Sequence, residues 1–521
     1  MQVTTENLTF SRENFDFLLS AFFKSMEENV NLKHSLEEME KKYIYLLEQI
    51  KLSKQRQFGR KSEANLELGM QLELQFDVEE SVETEEAKET TQEDETITYT
   101  RSKPKAGRKI DTSSLLREEI IHDLSDEEKH CKCCGKELEK IGEDRSEQLE
   151  YIPEQIKVIE HIRPKYACRC CETIQMAAKP EAPLPKSMAG ASLIAEVIIK
   201  KYEHHLPWYR QSKIFAQQGM DIPANTIGNW FMQAGAVLEP LSHALREQLH
   251  HTNVLQADET TVKVLLENIK GYMWCYHSCV PANRFVIFEY NDSRSGAVIN
   301  NTLVNYQGIL QSDGYSGYNS MRDKEGVVNI GCWAHCRRKF AEVVKMTSQT
   351  GKAHEIVSLI AKLYKVEVKA RELNLGFEAR KKLRQEEAKP ILEKIHRCLS
   401  KSSAPPKSAI QMAITYALNQ WNYLIRYIDY GEVEIDNNWV ENQIRPFAVG
   451  RKNWLFTGNR EAAATAAFFY SIIQTCRLNT IDPRSYLIYV LNQVRNMRIG
   501  EIDPKILLPQ FIDRKLLPNK I

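Results

Sequence analysis

The sequence predicts a multidomain α/β protein in which a coiled coil, a zinc-binding β domain and a helix-turn-helix precede a sheet domain that carries a helical insertion. Three observations support this class. An apolar repeat with steps of three and four opens the chain, two C-x-x-C pairs follow it, and two later strands each end on an aspartate. At 521 residues the chain is too long for one compact core, so we expect several units.

The N-terminal repeat predicts a coiled-coil helix. It places Asn29 at a core position, where a polar residue fixes the register of two helices. Apolar residues occupy most other core positions. They are Phe22, Leu36 and Tyr43 at heptad position a and Leu18, Leu32, Met39 and Leu46 at heptad position d, while Ser25 is a polar d residue. The alternative is a long amphipathic helix that packs on its own protein. We expect a homodimer or a higher oligomer.

The net charge of zero hides an uneven distribution along the chain. Residues 77–97 hold ten acids against one lysine, which predicts a solvated linker. The basic stretch at 101–109 is either an extended DNA-binding arm or more linker. From Glu441 onward, twelve Lys and Arg face six Asp and Glu, and such a basic excess favours a polyanionic partner.

Nothing in the sequence indicates a membrane or a secretory route. No run of eighteen apolar residues occurs, and the N-terminus lacks a basic start followed by an apolar block. We expect a cytoplasmic protein whose twelve cysteines are thiols or metal ligands.

Two C-x-x-C pairs predict a structural zinc site. The expected ligands are Cys131 and Cys134 in the first pair and Cys168 and Cys171 in the second. Cys133 and an equivalent cysteine in the second pair leave the ligand choice open, as does the alternative of free thiols. The alternating stretch between the pairs predicts a β-hairpin that brings them together.

Residues 206–234 predict two short helices around a turn at Gly219. Pro223 marks the start of the second helix, and Asn225 is a candidate N-cap. This outline is typical of a helix-turn-helix, although helical hairpins that do not bind DNA have the same pattern. The candidate DNA contacts of the second helix are Asn225, Thr226 and Asn229.

Beyond residue 250 the order is three strands, helix, strand, helix, strand and helix. That order predicts a ribonuclease-H-like sheet, in which the first and fourth strands are neighbours. Asp258 and Asp313 end these two strands and are therefore expected side by side. Adjacent carboxylates repel unless a cation lies between them, which favours two Mg²⁺ ions, or Mn²⁺, and phosphodiester chemistry.

A third acid is expected on a later helix, and Glu441 is the candidate. Arg445 lies four residues on, where it can orient the carboxylate or meet a phosphate. The competing Asp436 precedes the helix and resembles a cap, and Glu259 points to the other face of its strand. The helix is expected to end at Pro446. Further candidate DNA contacts are Arg451, Lys452, Arg337 and Arg338.

Taken singly, each acid could be a strand-end turn residue or a solvated helix partner.

Between Lys345 and Gly431 a charge-rich helical segment interrupts the sheet domain, and it is either a DNA or partner contact or a packing spacer. The predicted segments are a coiled coil at 1–62, a linker at 63–110, a zinc domain at 111–182, a helix-turn-helix domain at 183–245, the first part of the catalytic domain at 250–345, the insertion at 346–430, the last part of the catalytic domain at 431–480 and a C-terminal tail at 481–521.

Several motifs resemble the DDE transposases of bacterial insertion-sequence family sixty-six. They are FGRKSE, IIHDLSDEEKHCKCCG, VIEHIRPKYACRCC, ADET, SDGYSGY, GCWAHCRRKF and VENQIRPFAVGRKNWLF. The resemblance assigns the acid triad to Asp258, Asp313 and Glu441 and puts His335 beside it, either as a supporting residue or in the core. Cys133 departs from the family pattern.

The resemblance implies cutting at the terminal inverted repeats of a mobile element and joining of the ends to target DNA. Small accessory proteins of the same element are implied as partners. Two alternatives remain from the residues alone. One is a DNA-binding regulator or inactive element-derived protein, and the other is a repair-type endonuclease that cuts without joining.

Overall fold

The architecture is taken from a computed structural model of the chain. The residues it describes are 19–33, 35, 36, 39, 42, 43, 46, 154–167, 174–178, 180–278, 280–346, 351–401 and 404–518. The chain divides into two compact units, one formed by residues 1–68 with 158–521 and the other by residues 69–157. Of the second unit only residues 154–157 are described.

Helix α1 covers residues 19–33, within the predicted coiled coil. Its apolar side chains, including Phe22, Met26 and Leu32, are exposed in this single chain. An exposed apolar stripe is compatible with a partner helix, and the dimer stays a prediction. The predicted linker at 63–110 lies outside the described residues, as do Cys131, Cys134, Cys168 and Cys171.

A short antiparallel pair follows, with β1 at Lys165–Ala167 and β2 at Ile174–Met176. The predicted hairpin was expected between the two cysteine pairs, but residues 154–164 form no strand. The observed strands instead precede and follow the second cysteine pair in the sequence. The prediction of a hairpin upstream of Cys168 is wrong for the part that the structure describes.

Four helices form the region before the sheet. They are α2 (Ala191–Tyr202), α3 (Trp208–Gln217), α4 (Ala224–Val237) and α5 (Glu239–Glu247). The turn between α3 and α4 contains Gly219 at φ +85°, a left-handed conformation that glycine adopts at little cost. The predicted pair of helices around Gly219 is therefore confirmed. Asn225 does not cap α4, because Pro223 occupies the N-cap position and Asn225 lies inside the first turn.

The sheet has five strands in the order β5-β4-β3-β6-β7. Its strands and intervening helices are β3 (Val254–Val264), β4 (Ile269–Ser278), β5 (Val286–Asn291), α6 (Gly296–Thr302), β6 (Gly308–Gln311), α7 (Asn319–Arg322), β7 (Val327–Ile330) and α8 (Trp333–Met346). Strands β3, β4 and β5 pair antiparallel, whereas β6 joins β3 and β7 in parallel. The predicted adjacency of the first and fourth strands is confirmed.

The predicted insertion is helical. Its helices are α9 (Lys352–Glu372), α10 (Phe377–Leu383), α11 (Lys389–Ser400), α12 (Ala409–Asn419) and α13 (Trp421–Leu424). A π-helical turn at Arg384–Ala388 joins α10 to α11. The chain then returns to the sheet through α14 (Asn438–Trp454), α15 (Arg460–Leu478), α16 (Pro483–Asn492) and α17 (Val494–Arg498).

Helix α14 continues through Pro446, where the sequence predicted its end. Proline removes one helical hydrogen bond and strains the preceding turn. On either side of it Ile444, Phe447 and Trp454 are buried against the rest of the fold. Burial of three large side chains contributes several kcal/mol, which outweighs a proline penalty of about 3 kcal/mol.

Two apolar cores organise the described residues. One joins α2–α5, most of the sheet and α14–α17, and the other joins α8 to the insertion and to one face of β6 and β7. Helices α2–α5 therefore share their core with the sheet. In the part of the chain that is described, no helix is long and apolar enough to cross a bilayer.

Candidate active site

Strand β3 and the residues just after β6 bring two acids together. The prediction that Asp258 ends its strand is wrong, because β3 continues to Val264. These parallel strands pair with Gln256 opposite Gln311. Asp258 and Asp313 each lie two residues further along, so both side chains continue the face to which the glutamines belong. Asp258 lies within β3 and pairs with Cys275 of β4, whereas Asp313 lies two residues after Gln311, the last residue of β6.

The side chains of two glutamines lie buried next to the acids and bind each other. Gln256 Nε2 donates to Gln311 Oε1 at 2.9 Å, and both side chains are fully buried. Their amides also bind the segment before α14, because Gln256 Nε2 donates to the carbonyl of Asp436 at 2.9 Å and Gln311 Nε2 to that of Glu434 at 2.8 Å. Sequence reasoning missed this pair, although each strand carries the same signal, a glutamine two residues before its aspartate.

Helix α14 packs on the sheet face that carries Asp258. Cys275, the cross-strand partner of Asp258, pairs in turn with Phe288. The ring centroid of Phe288 lies 6.4 Å from that of Phe447 in α14. This packing puts Glu441, in the first turn of α14, on the side of the two aspartates.

The three carboxylates interact electrostatically. Burial is the main cause that raises the pKa of Asp258 well above its ordinary value, and the charges of Glu259, Asp313 and Glu441 add to it. The backbone N–H of Glu259 donates to Asp258 Oδ1 at 2.8 Å and opposes that shift. A cluster of acids in this situation is stabilised by a bound cation.

Two basic side chains of α8 lie beside the carboxylate of Glu441. Its Oε1 lies 3.6 Å from His335 Nδ1, and its Oε2 lies 3.6 Å from an Arg338 nitrogen. Oε1 and Nδ1 are both buried without a hydrogen-bond partner. Burial lowers the pKa of His335, although the charge of Glu441 acts in the opposite direction. His335 therefore lies beside the acid cluster, as the sequence motif indicated.

Asp313 is oriented by its own loop. The backbone N–H of Tyr315 donates to Asp313 Oδ1 at 2.9 Å. On the insertion, Tyr416 packs against Gly314 so closely that a Cβ at that glycine would lie 2.7 Å from the Tyr416 ring. The loop after β6 is thus fixed from both sides.

Glu259 belongs to a separate network, as its place in the strand predicted. Its side chain is 1% exposed and binds Arg294, whose Nε lies 2.7 Å from Oε1. The Tyr318 hydroxyl donates to Oε2 at 2.7 Å. The guanidinium of Arg294 also stacks on the Tyr315 ring at 3.8 Å. Arg294 therefore links the residue after Asp258 to the loop that orients Asp313, a connection that sequence reasoning missed.

Asp436 has the cap-like position that was expected. Its Oδ1 accepts from the backbone N–H of Asn438 at 3.2 Å, at the start of α14. Its Oδ2 accepts from the Tyr364 hydroxyl at 2.8 Å. Burial raises the pKa of this carboxyl to about 6.

The donor set fits a hard divalent cation. Asp258, Asp313 and Glu441 offer carboxylate oxygens, which Mg²⁺ and Mn²⁺ prefer, and one Glu441 oxygen is a buried acceptor that lacks a partner. Over the described ranges, however, no three His, Cys, Asp or Glu side chains lie close enough to form a ready-made metal cluster.

The predicted DNA contacts on α14 differ in their surroundings. Arg445 is exposed and lines a cavity of about 360 Å³ together with residues of α2, the α2–α3 loop and α15. Arg451 binds β3 through hydrogen bonds to Thr260 Oγ1 at 2.8 Å and to the carbonyl of Thr261 at 2.5 Å. Lys452 is exposed. Arg451 thus anchors α14, and its contact to DNA stays a prediction.

The remaining predicted contacts lie on two other helices. Arg337 and Arg338 belong to α8, and Arg338 is exposed near Glu441. On α4, Asn225 and Asn229 are exposed one turn apart, with Thr226 half-buried between them. The opposite side of α4 is buried through Ile227, Trp230, Phe231 and Ala234. The polar residues are therefore available to a ligand.

The chain matches three protein families. Residues 186–465 match the family described as "Transposase IS66 family". Residues 128–172, which contain all four predicted zinc ligands, match "zinc-finger binding domain of transposase IS66". Residues 45–120 match "Transposase C of IS166 homeodomain".

Relatives from Sinorhizobium fredii (strain NBRC 101917 / NGR234) are similar over most of the chain. The uncharacterized protein y4jD is 33% identical over 414 residues, which cover 76% of this chain and 80% of the relative. The uncharacterized protein y4hP is 32% identical over 426 residues, covering 76% of this chain and 75% of the relative. The uncharacterized protein y4qI is 31% identical over 411 residues, with 75% and 76% covered.

Proposed function

Because the chain belongs to the IS66 transposase family, we propose that it cleaves the DNA ends of an insertion sequence and joins them to target DNA. The observation that carries this proposal is the parallel register of β3 and β6, which sets Asp258 beside Asp313 on the face that α14 covers. Glu441 completes the proposed catalytic triad.

We infer that the sheet is ribonuclease-H-like. The strand order β5-β4-β3-β6-β7, with three antiparallel strands followed by two parallel ones, supports this fold. The helical segment between α8 and α14 is then an insertion before the helix that bears the third acid.

Asp258, Asp313 and Glu441 are the proposed ligands of Mg²⁺ or Mn²⁺. Ions held by these carboxylates would supply activation of a water or a 3′-hydroxyl and stabilisation of the leaving oxygen. The chain's own residues orient the carboxylates. The Tyr315 N–H fixes Asp313, the Glu259 N–H fixes Asp258, and α8 flanks Glu441 with His335 and Arg338.

DNA is the proposed partner, and several surfaces support it. Arg338, Arg445 and Lys452 are exposed around α14, and guanidinium groups bind phosphates through paired hydrogen bonds. The exposed polar side chains of α4 lie on the second helix of the proposed helix-turn-helix and are proposed to contact the terminal repeats.

A zinc-binding domain is proposed to assist, with Cys131, Cys134, Cys168 and Cys171 as ligands. Assembly as a dimer or higher oligomer and help from accessory proteins belong to the same proposal.

The test is incubation of the protein with labelled DNA that carries the element's ends, in Mg²⁺ and with the accessory proteins added. Asp258→Ala is the inactive comparison. We expect cuts at the element termini and strand-transfer products with the wild type and neither with the variant. Binding without cutting would favour a DNA-binding regulator, and cutting without joining would favour a repair-type endonuclease.

A further inference from the structure

The segment at 431–437 connects the insertion to α14 and therefore determines where Glu441 lies. It contains no helix or strand. Its residues are nevertheless mostly buried, including Val433, Ile435 and Asn437. A buried irregular segment needs partners for its backbone groups. These partners come from two sides.

On one side the insertion supplies two arginines. Arg384 is fully buried in the π-helical turn and donates to the carbonyls of Tyr427, Tyr430 and Val433, each at 2.8 Å. Arg380 binds the carboxylate of Glu434 through two hydrogen bonds, of 2.9 and 2.8 Å. Both guanidinium groups thus bind the segment or the residues just before it.

Glu367 of α9 holds the two arginines together. Its Oε2 accepts from Arg380 at 2.7 Å and from Arg384 at 2.8 Å, and its Oε1 accepts from Arg384 Nε at 2.8 Å. Although burial opposes ionisation, the two arginines hold the pKa of Glu367 below its ordinary value. A fully desolvated ion cluster contributes little net stability, but it fixes geometry because each member is satisfied only in one arrangement.

On the other side the segment binds the two buried glutamines of the candidate active site. Gln311 and Gln256 donate to the carbonyls of Glu434 and Asp436, and Gln256 Oε1 accepts from the N–H of Val440 at 3.0 Å. Val440 immediately precedes Glu441. A further insertion residue, Tyr364, reaches the carboxylate of Asp436.

The segment also approaches the insertion closely at Gly431. A Cβ at this position would overlap the backbone carbonyl of Phe377, the first residue of α10. A side chain would therefore push the segment away from the insertion, and only glycine permits the observed packing.

We propose that the insertion is a positioning device for the third acid, in which Glu367, Arg380, Arg384 and Tyr364 set the location of Glu441 relative to Asp258 and Asp313. This inference rests on the proposed function of the triad. It assigns to the insertion a role in assembling the site, in addition to any contact with DNA. The residues named are positioning residues, because none is proposed to touch the substrate.

The test uses three variants of the full chain and a control. Arg384→Met removes the central guanidinium, Tyr364→Phe removes one hydroxyl, and Gly431→Ala adds one methyl group. Lys382→Met is the matched control, because Lys382 lies on the same part of the insertion with its side chain 79% exposed. Three quantities are measured: hydrogen exchange along the chain, Mn²⁺ binding followed by electron paramagnetic resonance, and kcat and KM for cleavage of end DNA.

We expect Tyr364→Phe and Gly431→Ala to speed exchange at 431–441 while exchange in β3 stays unchanged. Mn²⁺ affinity and kcat should fall by about tenfold or more, with KM for DNA unaffected. Arg384→Met should have a larger effect of the same kind, and Lys382→Met none. Faster hydrogen exchange throughout the sheet in Arg384→Met would mean that this variant unfolds globally. In that case Tyr364→Phe and Gly431→Ala test the positioning role.

Unchanged exchange, Mn²⁺ binding and kcat in Tyr364→Phe and Gly431→Ala would overturn the inference. Lower thermal stability with an unchanged kcat would also overturn it, because that result identifies the insertion as a packing element only. If the wild type cuts no DNA, the proposed function fails, whereas exchange and Mn²⁺ binding still test the positioning role.

Discussion

Gln256 and Gln311 share a 2.9 Å hydrogen bond between register partners of two parallel strands, two residues before Asp258 and Asp313. The same amides hold the segment that leads to Glu441. One buried pair therefore connects all three proposed catalytic residues.

Replacement of Gln256 by leucine should destabilise the protein. The change leaves the carbonyl of Asp436, the N–H of Val440 and one Gln311 oxygen without their partner. Buried unpaired groups of this kind cost roughly 3 kcal/mol in total. We expect a lower urea midpoint for Gln256→Leu and no change for Gln218→Leu, which lies on the surface. Equal midpoints for both variants would contradict the role of the pair.

Asp313→Asn should abolish cleavage and retain binding of the element ends. The amide keeps the size of the side chain and can still accept from the Tyr315 N–H, but it removes the charge that binds a cation. Loss of several kcal/mol of transition-state stabilisation corresponds to a rate at least about a hundredfold lower. Gel-shift and cleavage assays on the same preparation separate the two properties. Cleavage by the Asp313→Asn variant would show that Asp313 is not part of the active site.

The stability of the protein should depend on pH through Asp436. Its pKa is about 6 in the folded chain, against an ordinary value of 3.8. Between these values the unfolded chain releases a proton that the folded chain keeps, so stability falls as pH rises from about 4 to about 6 and then stays constant. The full effect is roughly 3 kcal/mol.

Asp436→Asn should remove this pH dependence, because an amide does not titrate in that range. Urea unfolding at pH 4 and pH 7 measures the effect, with the exposed Asp323→Asn as the control. A stability difference between the wild type and Asp436→Asn that stays constant from pH 4 to pH 7 would show that Asp436 is ionised at lower pH than its burial indicates.

Zinc content should depend on Cys134 and be independent of Cys133. A tetrahedral site takes two thiolates from each C-x-x-C pair, and loss of one ligand weakens metal binding and local folding together. We expect metal analysis to find zinc in the wild type and in Cys133→Ser and much less in Cys134→Ser. Zinc loss in Cys133→Ser but not in Cys134→Ser would show that Cys133, and not Cys134, is the ligand.

Removal of residues 1–60 should lower the oligomeric state. The deletion takes away the predicted heptads, including the exposed apolar side chains of α1. Light scattering should report a smaller mass for this variant, whereas deletion of the acidic stretch at 77–97 should leave the assembly intact. An unchanged mass after the first deletion would assign dimerisation to another surface.

The sequence was informative where a local pattern determines the structure. The strand pattern around Asp258 and Asp313, and the glycine turn at Gly219, allowed the sheet order and the helix pair to be predicted, although β3 continues past Asp258 to Val264. Helix α14 was expected to end at Pro446 because local propensity does not include the burial of residues on both sides.

The support of Glu441 was predictable only in part, since the family resemblance indicated His335 but nothing in the sequence indicated the contact with Arg338. Its neighbours His335 and Arg338 come from α8, more than 100 residues earlier in the chain. The cluster around Glu367 depends on contacts between helices that have no shared sequence pattern. Only the three-dimensional packing reveals which of many Arg and Glu side chains are buried together.

The bond between Gln256 and Val440 joins residues 184 positions apart, with the insertion enclosed in the loop. Closure of such a long loop is slow, and contacts of this range form late in folding. We expect a nascent chain to assemble its sheet with two acids well before the third arrives. A chain whose synthesis has not yet reached Glu441 therefore lacks the third acid of the proposed site.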